Sequence, residues 1–587
     1  MNYIELVELY EKISKTSKRL EKTHYVSKLL KKTPIQELED LILLIRGKIY
    51  PEWDEKKIGV SSKLVIKAIN KTTGVSDKEI EENWKKLGDL GDVARHLLSQ
   101  KRQESLFKRD LIVKEVIKSF RKLSDQQGLG SVDQKLSIIS ELLVNATPLE
   151  AKYISRTLVD NLRVGVGKGV IRDAIIWTYL GGEIDIKYDF EKNDIELDTN
   201  DREKYNEILK KIQHAYDITN DFGLVAKTLK LEGLNGISKL KMEVGKPINV
   251  MLFPKAKDVN DAFDIVGKPA AFEYKYDGFR TQIHKTGDIV TLFSRRFENV
   301  TLQFPEIVKA VKKNVKAEEC ILDAEAVGID PKTGKNLPFQ KISQRIKRKY
   351  DIEKIAKQFP VELNIFDILS YKGESLLQTK FKKRREILNA IVEEEEKSIV
   401  LAKQLITNDE KKAQEFYAKA LKNGEEGVMV KSLEGIYKPG ARVGYGVKLK
   451  SIMEPLDLVI VAGEYGEGKR SGYLTSFYLA CEDNGELREI GKVSTGLKEL
   501  EEEGITFKKM TELIMPLVSK NEGKFVKIKP QIVIEVGYEE IQKSINYDSG
   551  FALRFPRFLR LRIDEKEVED INTIDDIEML YNQQRGK

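Results

Sequence analysis

Between residues 240 and 254 the chain changes texture, and that seam limits the possible folds more than any other feature of the sequence. Upstream, apolar residues recur at helical spacing: Ile4, Leu6, Val7, Leu9, Tyr10 and Ile13 make one stripe, and Thr33 with Pro34 opens another amphipathic segment. Downstream, short apolar or alternating runs lie between turn signals, the signature of strands. Gly245, Pro247, Phe253 and Pro254 give the seam itself a linker composition. A chain of 587 residues exceeds what one core can organise and should form about three domains at roughly 100–200 residues each. The expected architecture is all-α over 1–240, α+β on an antiparallel sheet over 241–451, and all-β over 452–587.

Composition excludes several classes. Hydrophobic residues at 41% and charged residues at 33% fit a folded globular chain, not a disordered one. The net charge of +7 permits a nucleic-acid partner without demanding one. Two cysteines, Cys320 and Cys481, and four histidines cannot build a disulfide framework or a cysteine-rich zinc module. No apolar run approaches the ~18 residues of a membrane span and no leader pattern opens the chain, so no membrane partner and a cytoplasmic location are expected. Internal repeats are absent, and the run Glu393 to Glu396 reads as a solvated helix face.

The middle region carries the candidate chemistry. Lys275 lies in an alternating run that reads as a strand, and Asp277 with Gly278 follows as a turn. Such a lysine becomes a nucleophile when burial or neighbouring cations hold its amine deprotonated; Arg280, Lys285, Arg295 and Arg296 are the nearby candidates. Alone, the pattern is more often that of an ordinary edge-strand lysine before a tight turn. Further along, Asp323 and Glu325 stand two apart on a strand and so share a face. Val361 to Asp367 reads as a buried strand ending in Phe366 and an acid. Glu425 and Glu426 open another strand that Lys431 closes, and Arg442 leads to Lys448 and Lys450, again on one strand face. Cationic side chains suit phosphates and glutamates suit a hard cation, so the set describes a nucleotide pocket lined by antiparallel strands. Each piece has a plain structural alternative; their succession within one region would need many coincidences.

Two glycine-rich segments flank this region. Arg156 and Arg163 read as belonging to a helix that ends in a turn with Gly165, Gly167 and Gly169 before a second helix from Val170. Glycines let backbone N–H groups approach phosphates, although a packed helix-turn-helix fits equally well. Gly463 to Arg470 nearly spells a nucleotide-binding P-loop, but Arg470 stands where Ser or Thr would hold Mg²⁺ and a strand follows instead of a helix. It reads as a basic hairpin turn in a small barrel of short strands, from Leu456 to Val536. Arg554 to Phe558 is basic and aromatic, and a helix from Ile574 closes the chain.

Taken in order, Lys275-x-Asp277-Gly278-x-Arg280, Ser294-Arg295-Arg296, Asp323-x-Glu325, Phe366-Asp367, Glu426-Gly427 with Lys431, Lys448-x-Lys450 and Arg554-x-Pro556-Arg557 resemble the motifs of covalent nucleotidyltransferases, specifically ATP-dependent DNA ligases of the archaeal type. The likeness covers nearly the whole chain. It implies a helical DNA-binding domain, an adenylation (nucleotidyltransferase) domain and an OB-fold domain. It also implies that Lys275 attacks the α-phosphorus of ATP to give lysyl-AMP, that AMP passes to the 5′-phosphate of nicked duplex DNA, and that the 3′-hydroxyl then seals the strand. By the same resemblance Glu273 reads the adenine amino group, Phe366 stacks on the base, and Arg280 and Arg295 bind ribose and phosphate. Glu325 contacts ribose or metal and Glu426 the metal, which is Mg²⁺ with Mn²⁺ as an alternative. Arg442, Lys448 and Lys450 hold the α-phosphate, Arg554 and Arg557 orient pyrophosphate, and Arg156, Arg163, Gly165 and Gly167 grip DNA. A monomer is implied, with a sliding clamp left open as a partner.

Two positions depart from the family pattern. Ala324 replaces the glycine usual between the paired acids, with little effect expected because Glu325 keeps its place. Gly446 stands where the family carries tryptophan, and Tyr445 is expected to take over part of that ring's role. RNA ligases and mRNA-capping guanylyltransferases share the lysine motif but not the long helical N-terminal region or the Arg554–Arg557 ending. A non-catalytic nucleic-acid scaffold would be expected to have lost Lys275 or the carboxylates.

Overall fold

The structure is a computed structural model that describes the chain apart from residues 101–108, 129, 182, 183, 185, 338, 347, 349, 443, 451, 452, 468, 469, 471, 564 and 585–587, and apart from the side chains of 199, 340 and 503. Gly468 and Lys469 of the P-loop-like segment, and the expected boundary at 451/452, therefore lie outside the described residues.

Helices dominate residues 1–240, and among the described residues a short hairpin of Lys187–Asp189 with Asp194–Glu196 supplies the strands there. The first helix, Tyr3–Ser14, buries Leu6, Val7, Leu9, Tyr10 and Ile13 as its spacing predicts. The helix bearing Arg156, Pro148–Leu158, starts where Pro148 pre-sets the backbone and Thr147 and Glu150 form a reciprocal capping box. It ends at Leu158, so Arg163 is not helical, in contrast to the sequence expectation. Asp160, Arg163 and Gly165 adopt left-handed backbone conformations (φ 53°, 58° and 64°), and the next helix, Lys168–Tyr179, begins two residues before Val170.

By compactness the chain divides into two units. One comprises Met1–Ile80, Leu90–Tyr417 and Gly427–Leu449; the other comprises Glu81–Asp89, Ala418–Glu426 and Lys450–Lys587.

In the first unit a seven-stranded sheet runs in the order Ile399–Leu401, Val361–Tyr371, Glu319–Ile329, Phe279–Thr286, Ile289–Ser294, with Asn336–Leu337 and Glu374–Ser375 paired to the two long strands. Its pairings are antiparallel except that of Ile399–Leu401. A second sheet orders Gln404–Thr407, Ala270–Lys275, Gly427–Ser432 and Gly446–Lys450. Leu322, Ala324, Ala326, Leu363 and Ile365 meet Ile307 and Val311 of the Pro305–Asn314 helix and Leu388 of the Phe381–Ile391 helix in one core. Ala324 is fully buried there, so the methyl group at this departure from the family pattern is absorbed by packing.

Two expectations change. The seam is not a free linker: Leu252 and Lys255 form parallel bridges to Arg442 and Lys448, Lys448 N–H donates to Pro254 O at 2.9 Å, and Ala256 N–H donates to Lys448 O at 3.0 Å. The glutamates 393–396 are not on a helix. Val392, β-branched and bridged to Val315, draws the chain into an extended segment after Ile391, and Lys397 turns it with φ 62°.

The second unit holds a sheet in the order Glu486–Val493, Leu474–Asp483, Leu456–Tyr465, Phe525–Ile528, Val518–Glu522. Leu456–Tyr465 pairs with Val533–Gly537 along its first half and with Phe525–Ile528 along its last residues, and its pairing with Leu474–Asp483 carries register shifts at Ile460/Ala462 and Glu464/Tyr465. Leu458, Ile460, Leu479, Val526 and Ile534 fill its core. The Ile574–Gln583 helix closes the described chain as expected.

Candidate active site

Lys275 is the last residue of Ala270–Lys275, a strand whose other residues are all buried, and it is itself half-buried. Its partner across the antiparallel pair is Gly427, which places no side chain beside it. The turn that follows is sterically fixed: a Cβ on Gly278 would lie 2.4 Å from Ala326 O and 2.9 Å from Glu325 Cγ. Asp277, also buried, accepts a hydrogen bond from Phe339 N–H at 3.1 Å.

Two residues before Lys275, Glu273 lies on the same strand face with 2% of its surface exposed. Its Oε2 pairs with Lys431 Nζ at 2.6 Å, and its Oε1 accepts from Gln404 Nε2 at 2.9 Å with Arg385 Nη1 at 3.7 Å. Lys431 also sits over the Phe366 ring, 4.9 Å from its centroid, and Arg280 lies 5.1 Å from the same centroid. Phe366 owes its orientation to a bulge. Asp367 pairs with Asp323 and Ile365 with Ala324, which leaves Phe366 as the extra residue and re-aims its side chain. Beside it the buried Asp367 is gripped by Arg384 at 2.7 and 3.0 Å. Burial works against the Asp367 charge, yet Arg384 outweighs it and lowers the carboxyl's pKa.

Arg280 is cross-strand partner to Glu325 and forms a two-point ion pair with the buried Asp323 at 2.5 and 3.2 Å. Tyr437 completes this cluster. Its hydroxyl donates to Asp323 Oδ2 at 2.9 Å and accepts from Arg280 at 3.1 Å and from Met251 N–H at 3.1 Å. Burial alone would loosen the Arg280 proton; Asp323 outweighs it, so the guanidinium stays charged. The half-buried Glu325 leaves this edge acidic beside a fixed cation. Lys285 is not part of the group, because its ammonium donates to Ala317 O.

The other predicted residues lie on other elements. Arg295 is exposed on the turn after Ile289–Ser294, where Ser294 Oγ accepts from Arg296 N–H and Glu298 N–H at 3.2 Å each. Lys448 is half-buried on Gly446–Lys450, and Arg442 is exposed just before that strand. Glu426, Lys450, Arg554 and Arg557 belong to the second unit. There Lys450 bridges Glu426 at 2.7 Å and Glu539 at 3.1 Å. Arg554 pairs with Glu540 at 3.0 Å, and Arg557 is exposed at the start of Arg557–Leu561. In the helical part, Arg156 is buried against Asp92 at 3.2 Å, while Gly165 and Gly167 are exposed. Lys22 donates to Val164 O at 2.9 Å and Gly165 O at 3.1 Å, so a buried ammonium pins the glycine turn from beneath. Among the described residues no group of three or more His, Cys, Asp or Glu forms a preformed metal cage.

The description "ATP dependent DNA ligase domain" matches residues 250–450, "DNA ligase N terminus" residues 2–176, and "ATP dependent DNA ligase C terminal region" residues 470–565. The chain is similar to the DNA ligase of Nanoarchaeum equitans (strain Kin4-M), 47% identical with 100% of this chain and 99% of that protein covered. The chain belongs to the ATP-dependent DNA ligases. DNA ligases of Thermococcus onnurineus (strain NA1), at 44%, and Archaeoglobus fulgidus, at 40%, are likewise similar, with 100% of this chain and 99% of each protein covered. The solved structure Pmar-Lig_PreS3 is similar in fold, at 18% identity and a TM-score of 0.55, covering 95% of this chain and 99% of that one.

For a ligase of this family, sequence reasoning missed Gln404, Arg385 and Tyr437 as neighbours of the pocket residues. No local pattern marks them, since sheet register and helix packing bring them in. It also missed the ring at the tryptophan departure. Phe253, from the seam, covers Gly446, and a Cβ there would lie 2.6–2.9 Å from three of its ring atoms. Tyr445 instead packs its Cβ near Gly435 and lies under Lys438.

Proposed function

We propose that this ATP-dependent DNA ligase works through Lys275 as the nucleophile that carries AMP. The observation that carries this reading is the placement of Lys275 two residues from Glu273 on one strand face and opposite Gly427. The Lys275 amine attacks the α-phosphorus of ATP, a phosphoramidate P–N bond forms, the bond to the β-phosphate oxygen breaks, and pyrophosphate leaves. A 5′-phosphate oxygen at a DNA nick then displaces the lysine, and the 3′-hydroxyl displaces AMP to close the backbone. Phosphoryl transfer of this kind is catalysed mainly by positioning and charge, which matches a pocket of fixed cations and few other reactive groups.

In this reading Glu273 accepts from the adenine amino group and Phe366 stacks on the base. Arg280 and Arg295 hold ribose and phosphate; Arg442, Lys448 and Lys450 hold the α-phosphate; Arg554 and Arg557 orient pyrophosphate. Glu325 and Glu426 hold Mg²⁺ or Mn²⁺. A site of one or two carboxylates completed by substrate phosphates suits Mg²⁺, and the half-buried Glu325 beside Arg280 fits that donor set. The bound cation would neutralise charge on the phosphates during transfer. Arg156, Arg163, Gly165 and Gly167 meet DNA phosphates without reading bases, with Lys22 holding the glycine turn in place. Three domains, 1–240, 241–451 and 452–587, are supported by the matched spans 2–176, 250–450 and 470–565, which fall one within each. The enzyme acts in the cytoplasm as a monomer in replication, repair and recombination, with a sliding clamp as a candidate partner. No described helix is long and apolar enough to cross a membrane.

Incubation with α-labelled ATP and Mg²⁺ tests the reading: an acid-labile labelled protein adduct that is absent in Lys275→Ala supports it. Sealing of nicked duplex without any such adduct would overturn it.

A further inference from the structure

Glu273 is held more tightly than a residue that only contacts a base requires. Its strand neighbours deliver donors from both sides. Gln404 is its direct partner across one antiparallel pairing, and Lys431 lies two residues beyond its partner Met429 across the other, so all three side chains share a face. The Phe381–Ile391 helix adds Arg385, whose other guanidinium nitrogen is fixed on Ala402 O at 2.8 Å. Each carboxylate oxygen thus has a protein donor, Oε1 from Gln404 at 2.9 Å and Oε2 from Lys431 at 2.6 Å.

These two contacts are not equivalent. Lys431 is shared with Phe366, so it serves stacking and charge together. Gln404 is neutral, and its side-chain amide donates to Glu273. Its effect is therefore directional: it fixes the rotation of the carboxylate and with it the lone pairs left for a ligand. A carboxylate so fixed offers acceptors. An adenine ring presents an amino group, a donor, at its 6-position, whereas guanine presents a carbonyl oxygen there, and two acceptors facing one another in a buried site repel.

We propose that Gln404 is a specificity-determining positioning residue that makes Glu273 select adenine over guanine nucleotides. This rests on Glu273 being the reader of the base. Loss of the Gln404 amide frees Oε1 to rotate, so the discrimination weakens while Lys275 keeps its place opposite Gly427.

The test compares rates of covalent adduct formation with α-labelled ATP and α-labelled GTP in the wild type, Gln404→Met and Gln404→Leu, full-length and with Mg²⁺. The unfolding midpoint of each variant is measured alongside. The ATP-to-GTP rate ratio should fall by about tenfold in both variants, the worth of one hydrogen bond to a charged group. Glu273→Gln should collapse the ratio further, and adding Gln404→Met to it should change the ratio no more. An unchanged ratio in Gln404→Met and Gln404→Leu, with unfolding midpoints kept, overturns the role of Gln404. An unchanged ratio in Glu273→Gln instead overturns the reading of Glu273 on which it stands, so the two failures are told apart.

Discussion

Lys275 and Gly427 are direct partners across the antiparallel strands Ala270–Lys275 and Gly427–Ser432. The residue opposite the proposed nucleophile therefore contributes no side chain. Glu273 projects from the same face about 7 Å back along the strand, the rise of two residues. A strand thus spaces the reacting amine from the proposed base reader, and rigid sheet pairing on both sides of Glu273 keeps that spacing.

The turn after Lys275 tolerates no side chain at Gly278. An added methyl meets the Ala326 carbonyl oxygen at 2.4 Å, and a backbone atom of a central strand cannot step aside. Gly278→Ala should cost about 2 kcal/mol or more in stability. A shift of Lys275 or Glu325 by about 1 Å should slow adduct formation on the order of 100-fold. Unfolding midpoints and single-turnover adduct formation check this; full activity in Gly278→Ala would show that the contact yields.

Phe253 and Gly446 occupy one volume between them. Phe253→Ala should therefore loosen the strand that bears Lys448 and destabilise the protein by about 2 kcal/mol. Gly446→Trp alone should also destabilise, because its side chain meets the Phe253 ring. The double variant should recover part of both losses, a coupling of about 1 kcal/mol or more in a double-mutant cycle of unfolding free energies. Strict additivity would mean that the two positions do not share that space.

Glu52 reports on the support beneath the glycine turn. It accepts from Lys168 at 2.8 Å and from Tyr216 at 3.0 Å, and it pairs with Arg46. Burial opposes its charge, but Arg46 and Lys168 outweigh burial and hold the carboxyl at about 2. A folded-state value below the unfolded one, about 4.3, means that this stabilisation is complete above that unfolded value and is lost as pH falls toward about 2. Its full size is about 3 kcal/mol. Urea unfolding of wild type and Glu52→Gln should thus differ most at pH 6, with the gap narrowing steadily below pH 4.5. A gap that stays constant down to pH 3 would contradict the ion-pair account.

What the sequence made legible was local. The strand ending at Lys275, the Asp277–Gly278 turn and the paired acids Asp323 and Glu325 are set by short-range alternation and turn chemistry, and the structure keeps them as expected. Phe366 could be located but not aimed, because a register shift against Asp323 and Ala324 decides where its ring points. Gln404, Tyr437 and Phe253 carry no local mark; cross-strand pairing and seam packing over long sequence separations bring them in. The helix expected to run through Arg163 stops at Leu158, and the one expected to run through Glu393 stops at Ile391. In both places left-handed residues, Asp160 and Arg163 in one and Lys397 in the other, turn the chain through conformations that spacing of apolar residues does not reveal.

The central claim is a covalent bond between AMP and one amine, and peptide mass spectrometry after incubation with ATP and Mg²⁺ tests it most directly. AMP should be found on the peptide bearing Lys275, discharged on addition of nicked duplex DNA, and missing from Lys275→Ala. AMP on a different residue, or ATP-dependent sealing with Lys275 never modified, would contradict the account.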